Sequence, residues 1–253
     1  MRLSLGLTPE HSCSYLPGRQ SRSLVVVDEE RLNPATYDAL LQQGYRRSGD
    51  HVYRPWCVSC RSCNAVRIPV ESFRPDRSQR RCMKRNRDLR LEWMPAELTD
   101  EQYRLYLEYQ EGRHAGGAMA QSSWEETRRF LLAGWNDVQL LEMRLDGELV
   151  AAAYTDVMPH SLSAVYTFFR PDLTRRSLGT FAILEQIAQA IREGKNWLYL
   201  GYWIPECPKM SYKSRFRPHE IRRPMADFRD ERWESVEEEG TAGGGTSSRS
   251  QQG

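Results

Sequence analysis

Cys57, Cys60 and Cys63 stand at Cys-x-x-Cys-x-x-Cys spacing, which lets thiolates converge on one soft ion from a tight turn. A tetrahedral set needs a fourth ligand, and Cys13 or Cys82 could supply it, with Cys13 preferred. Zinc and an iron–sulfur centre both stay open at this cluster, as do plain reduced thiols. Spacing this close does not suit a secreted disulfide framework, so a reducing cytoplasm is expected. A second chemistry is anion binding. Arg77, Arg80, Arg81, Lys84 and Arg85 crowd the segment from Arg74 to Arg90, and guanidinium groups bind phosphate oxygens in a bidentate way. Contact with an RNA backbone is expected there, the plainer alternative being a solvated face.

Two further stretches carry charge beside groups able to shape a site. In Arg175-Arg176-Ser177-Leu178-Gly179-Thr180, Gly179 would let the backbone approach a pyrophosphate or carbonyl at a helix N-terminus. An exposed turn before a core helix is the alternative. Tyr212-Lys213-Ser214-Arg215-Phe216-Arg217-Pro218 joins cations to aromatic rings. It reads either as a wall recognising a carboxylate or a tRNA end, or as an element packing its rings while its cations stay wet. The histidines are scattered and no serine lies in a nucleophile elbow, so covalent serine chemistry is not expected.

The elements that must position these residues follow from pattern. Leu140 to Leu145 and Leu149 to Asp156 form a hairpin around Asp146-Gly147. Ser163 to Phe169 reads as a strand, Phe181 to Ile191 as a helix ended by Gly194, and Trp197 to Trp203 as the next strand. This ββ–β–α–β order predicts an acyltransferase-like sheet. Upstream, Arg22 to Asp28, Tyr45 to Arg47, Val52 to Arg54 and Ala65 to Val70 read as strands, and Ala35 to Gln43 as a helix. Ser78 is the expected cap of the basic segment. The fold class expected is α+β: a smaller cysteine-containing domain over 1–95, then an acetyltransferase-like mixed-sheet domain over 96–234. The Gly- and Ser-rich stretch 235–253 is expected to be disordered. With 253 residues, 40% hydrophobic and 28% charged, the chain has the composition of a soluble globular protein. No apolar run approaches the ~20 residues of a membrane span.

Taken together, the chain resembles the arginyl-tRNA–protein transferase family, and within it the bacterial leucyltransferase branch. The resemblance rests on Cys13-Ser14-Tyr15-Leu16-Pro17, Tyr45-Arg46-Arg47-Ser48-Gly49 and Tyr53-Arg54-Pro55-x-Cys57-x-x-Cys60-x-x-Cys63. It extends through Arg67-Ile68-Pro69-Val70, Ser78-Gln79-Arg80-Arg81, Tyr166-Thr167-Phe168-Phe169 and Ser177-Leu178-Gly179. Leu198-Tyr199-Leu200-Gly201-Tyr202 and Tyr212-Lys213-x-x-Phe216-x-Pro218 complete it. The resemblance implies transfer of leucine from leucyl-tRNA to the α-amine of proteins that begin with Asp or Glu, marking them for degradation. It also implies an acetyltransferase-like C-terminal half that uses aminoacyl-tRNA and no coenzyme A. Eukaryotic relatives hold an iron–sulfur cluster on cysteine pairs; Cys13 matches one member, while Leu16 stands where its mate would be.

The aminoacyl ester is already activated, so no cofactor is required for the chemistry. The enzyme must align amine and carbonyl, stabilise the oxyanion and move one proton. Backbone N–H groups near Ser177 to Gly179, or at Gly201-Tyr202, are expected to serve the oxyanion. Asp156 or Glu206 is expected to hold the incoming ammonium. Arg175, Arg176, Lys213 and Arg217 are the expected partners of the acidic side chain, Phe168 and Trp203 are expected to form the leucine pocket, and Tyr166 and Tyr212 are further expected substrate-binding residues. Arginyl transfer, a coenzyme A-dependent acetyltransferase and an RNA-binding zinc ribbon are the competing readings.

Overall fold

The computed structural model describes residues 2–114 and 121–236. Strands β1 (Leu5–Leu7), β2 (His11–Ser12), β3 (Gln20–Ser21) and β4 (Ser23–Val26) lead to helix α1 (Pro34–Gln42). Then come β5 (Arg46–Ser48), β6 (His51–Pro55), β7 (Asn64–Pro69), α2 (Arg77–Arg85) and β8 (Arg90–Pro95). Helices α3 (Asp100–His114) and α4 (Trp124–Leu131) precede β9 (Asp137–Leu145), β10 (Glu148–Val157) and β11 (Ser161–Phe169). The chain closes with α5 (Leu178–Arg192), β12 (Trp197–Trp203), a 3-10 helix (Pro208–Arg215), β13 (His219–Arg222) and β14 (Trp233–Val236).

Local chemistry explains most of these boundaries. Asn33 accepts from the Thr36 N–H and Pro34 opens α1, where its missing N–H costs nothing. Asp76, not Ser78, caps α2, in a reciprocal box with Gln79. Ser123 and Glu126 form the same box at α4. Asp146 and Gly147 both take positive φ, the geometry a two-residue turn needs between right-twisted strands.

An eight-stranded sheet runs β14-β13-β7-β12-β11-β10-β9-β8, beside a four-stranded sheet β1-β4-β6-β5. One face of the large sheet packs under α5 through Phe181, Leu184 and Ile187. The other packs under α3 and α4 through Tyr106, Leu131 and Phe168. A third cluster, with Tyr37, Leu41, Val52 and Tyr199, joins the small sheet and α1 to the large one. The result is the expected α+β fold with a large mixed sheet. Residue 95 does not divide it. β7 inserts between β12 and β13, and β8 pairs with β9, so the sheet draws on both sides of that position. Ser235 and Val236, which fall in the stretch expected to be disordered, pair with β13; the rest of that stretch lies outside the described residues.

The feature that makes a site is a divergence. β11 and β12, joined through α5, pair in parallel only over Ser161–Ser163 and Trp197–Tyr199. Beyond those residues β11 continues along β10, while β12 continues along β7. The two inner edges therefore part, and a cleft opens between them.

Candidate active site

The cleft is narrow and partly open to solvent. Ser163 and Val165 line it from β11, Tyr199, Gly201 and Tyr202 from β12, and Arg46 from β5. At Gly201 the register against β7 slips, two β12 residues facing one, and Gly201 takes φ 74°. Its bare backbone receives the Arg46 guanidinium. A Cβ at Gly201 would lie 2.7 Å from Arg46 Nη1. The same guanidinium stands 5.8 Å from the centre of the Tyr202 ring.

Strand alternation sends Arg47 to the opposite side, into the protein. Its Nε donates to both Asp156 oxygens at 2.9 and 2.8 Å, and Nη2 donates to Asp156 Oδ1 at 2.6 Å. Nη2 also donates to the Leu131 carbonyl at 2.9 Å, while Nη1 reaches the Gly49 and Phe130 carbonyls. All five N–H groups of this guanidinium are thereby matched. Asp156 is 0% exposed. It lines the cleft, yet its carboxylate is tied to Arg47, so it serves as a strut where a partner for the incoming ammonium was expected. The Arg47 backbone N–H donates to the Tyr37 hydroxyl, seating β5 on α1.

Tyr202 and Lys213 meet at the same end of β12. The Tyr202 hydroxyl donates to the Gly44 carbonyl at 2.9 Å, and its own carbonyl accepts from Lys213 Nζ at 2.6 Å. Lys213 is buried, and burial, reinforced by the Arg46 charge, pushes its ammonium down to about 7. Because the ordinary lysine value lies higher, near ~10.4, the unfolded chain holds a proton the folded chain has lost between those two values. Stability therefore rises with pH across that window, and the penalty is fully present below about pH 7, by up to about 1.4 kcal/mol per pH unit. Lys213→Met removes this dependence. The Tm of the variant minus that of the wild type is expected to be most positive at pH 6 and to fall steadily towards pH 9. A constant difference would refute the burial argument.

The remaining expected site residues divide. Tyr166 is half-buried, accepts from Gln110 Nε2 at 2.9 Å, and lies within electrostatic reach of Tyr109 and Tyr212. Tyr212 stands at the surface beside Lys213. Phe168 is core, packed on Tyr106 and Tyr154, and cannot wall a leucine pocket. Trp203 turns towards His219, and Arg217 Nε folds back on the Ser214 carbonyl.

The turn before α5 does not gather around the cleft residues either. Arg176 forms a bidentate pair with Asp88 at 2.8 Å, and Arg175 and Ser177 are exposed. Ser177 takes φ 55°. Gly179 has a neighbour in place of a phosphate cradle: a Cβ there would meet Phe169 Cε1 at 3.1 Å. Its small size serves the packing of α5 on the end of β11.

Helix α2 holds this turn in place. Gln79, Cys82 and Asn86 form its buried side, which is polar, hence no apolar stripe in the sequence. Asn86 Nδ2 donates to the Arg176 carbonyl at 2.9 Å, Cys82 lies 3.6 Å from the Arg176 and Ser177 carbonyls, and Gln79 Nε2 donates to the Arg215 carbonyl at 3.0 Å. Arg77, Arg80, Arg81, Lys84 and Arg85 remain exposed on the other side.

The cysteines lie near one another without converging. Cys13, Cys60 and Cys63 pack against Leu16, Ile204, Cys207 and Met210. Cys13 Sγ accepts from the Leu16 N–H and Cys60 Sγ from Arg19, both at 3.4 Å, while Cys57 turns to Ser21 and the Arg22 carbonyl. Burial and the neighbouring thiols of Cys57, Cys60 and Cys13 push Cys63 up to about 12. Among the described residues no three of His, Cys, Asp or Glu are arranged to hold a metal ion.

Comparison with known proteins agrees with this architecture. Residues 11–81 match the N-terminal model, and residues 101–223 the C-terminal model, of arginine-tRNA-protein transferases. The chain belongs to the arginine-tRNA-protein transferase family. Within it, the chain is 47% identical over 229 residues to the aspartate/glutamate leucyltransferase of Marinobacter nauticus, covering 90% of this chain and 94% of that one. Identity to the protein of that name from Chromohalobacter salexigens is 49%, over 85% of this chain and 87% of the relative. Among solved structures, the C-terminal domain of a lysylphosphatidylglycerol synthetase-type protein from Agrobacterium fabrum has TM-score 0.48 at 16% identity, over 65% of this chain and 58% of that one. A tandem GNAT protein from clavulanic acid biosynthesis has TM-score 0.41 at 12% identity, over 90% of this chain and 62% of that one. No helix among the described residues is long and apolar enough to cross a membrane.

Proposed function

We propose that this enzyme transfers leucine from leucyl-tRNA to the α-amine of proteins whose first residue is Asp or Glu, and that the reaction occurs in the cleft between β11 and β12. The observation that carries the reading is the near-full-length similarity to proteins named aspartate/glutamate leucyltransferase. The parted strands support it, because their inner edges carry backbone groups outside any ladder between them. N–H groups of that kind can receive the oxyanion as the amine nitrogen bonds to the ester carbonyl. The bond between the acyl carbon and the ribose oxygen then breaks, and the proton lost by the amine ends on the departing ribose hydroxyl. Alignment supplies most of the acceleration, since the ester is already activated. The test is transfer of labelled leucine or arginine from charged tRNA to peptides beginning with Asp, Glu, Arg or Ala. Leucine on Asp and Glu alone is expected; arginine on the same peptides, or no transfer, would overturn the reading.

The exposed side of α2 is the proposed track for the tRNA backbone. The buried side of the helix holds the turn at the head of α5, which leaves its basic side free for the RNA. Replacing Arg77, Arg80, Arg81 and Lys84 by Gln is expected to raise KM for leucyl-tRNA by about tenfold. The salt dependence of binding should flatten by roughly one unit of log–log slope per lost phosphate contact. An unchanged slope would remove α2 from the interface.

A further inference from the structure

Arg46 differs from every other cation around the cleft. Arg47 beside it is matched at every N–H, and Lys213 donates to Tyr202. Among the described residues the Arg46 side chain makes neither a hydrogen bond nor an ion pair, only the ring contact with Tyr202. The groups nearest it electrostatically are the hydroxyls of Tyr15, Tyr37, Tyr53 and Tyr202, and the cleft's one acid, Asp156, already belongs to Arg47. A half-buried guanidinium with no anion is costly to keep. The backbone around it is nonetheless shaped to hold it, since Gly201 omits the side chain that would displace it.

From this juxtaposition we infer that Arg46 is the specificity residue for the acceptor: its planar fork receives the side-chain carboxylate of an N-terminal Asp or Glu in a bidentate pair. The inference rests on the function proposed above. A carboxylate suits the place better than an RNA phosphate, because this single cation sits among aromatic rings, whereas the exposed cations of α2 face outward. An amide of the same shape would leave the guanidinium desolvated and uncompensated, so the pocket selects charge over size.

The experiment compares kcat/KM for two peptides that differ only in Asp or Asn at the first position, with saturating leucyl-tRNA. The wild type is expected to prefer Asp strongly. In Arg46→Gln the ratio of Asp to Asn should fall by about 100-fold, and Arg46→Lys should keep part of it. A ratio unchanged in Arg46→Gln overturns the inference, as does a rise in KM for leucyl-tRNA with the ratio intact, which would assign Arg46 to the donor. Should Arg46→Gln not fold, Arg46→Lys decides: its ratio of Asp to Asn should fall below that of the wild type, and an unchanged ratio overturns the inference. Absence of transfer by the wild type would instead sink the function reading, so the two failures are distinct.

Discussion

Asp156→Asn destabilises the fold by about 3–5 kcal/mol, the cost of leaving one partner of a buried ion pair unmatched. For a chain of this size the expected fall in Tm is roughly 10–15 °C. The reason is geometric as well as electrostatic. Arg47 ties Asp156 of β10 to the carbonyls of Gly49, Phe130 and Leu131, so one guanidinium fastens the hairpin of the small sheet, the end of α4 and the large sheet together. An uncharged Asn still accepts one hydrogen bond, but the arginine stays buried and charged. Pairing the change with Arg47→Met should recover only part of the loss, because those backbone carbonyls then lose their donor, at about 1–3 kcal/mol for each one left buried. Thermal unfolding of both single variants and the double variant forms the cycle that measures this coupling. A Tm for Asp156→Asn within 2 °C of the wild type would show the pair to be peripheral.

Gly201→Ala lowers kcat/KM for an Asp-started peptide by about 100-fold, the scale expected when a reacting or recognising group moves by ~1 Å. Stability should suffer less, by about 1–2 kcal/mol, the cost of a left-handed conformation at a residue with a side chain. The new methyl would stand 2.7 Å from Arg46 Nη1 and 3.2 Å from Cζ, so the guanidinium must leave its seat or the bulge must open. The informative result is the imbalance: a folded protein, with circular dichroism of the wild type, that has lost acceptor recognition. Equal losses in transfer to Asp and Asn peptides would point to a damaged strand.

How much of this was readable in advance can be judged residue by residue. The hairpin at Asp146-Gly147, the strand order through β12 and most helix starts followed from local rules, because turns and caps depend on neighbours a few residues away. The basic α2 was visible as charge, but its buried side was not, since Gln79, Cys82 and Asn86 look polar until the carbonyls they meet are known. Arg176 and Asp156 carried the right chemistry for a site and were already paired, one with Asp88 and the other with Arg47, across sequence separations no local pattern spans. Arg46 was the reverse case. In Tyr45-Arg46-Arg47 the two arginines look alike, and only the placement of β5 beside the cleft gives them opposite fates. The lone Gly201 in an aromatic strand was the one signal that some group approaches there closely.

The insertion of β7 has a consequence for how the chain is made. A ribosome releases residues 64–69 long before the strands that flank them, and both neighbours, at 197–203 and 220–222, come from the last third of the chain. Until they emerge, Val66 and Ile68 belong to a strand with two open edges, the kind of surface on which nascent chains associate with one another. Folding of the sheet is therefore posttranslational in effect, and polypeptides stopped short of β13 should be recovered as aggregates or chaperone clients, whatever the quality of the half that had already been synthesised.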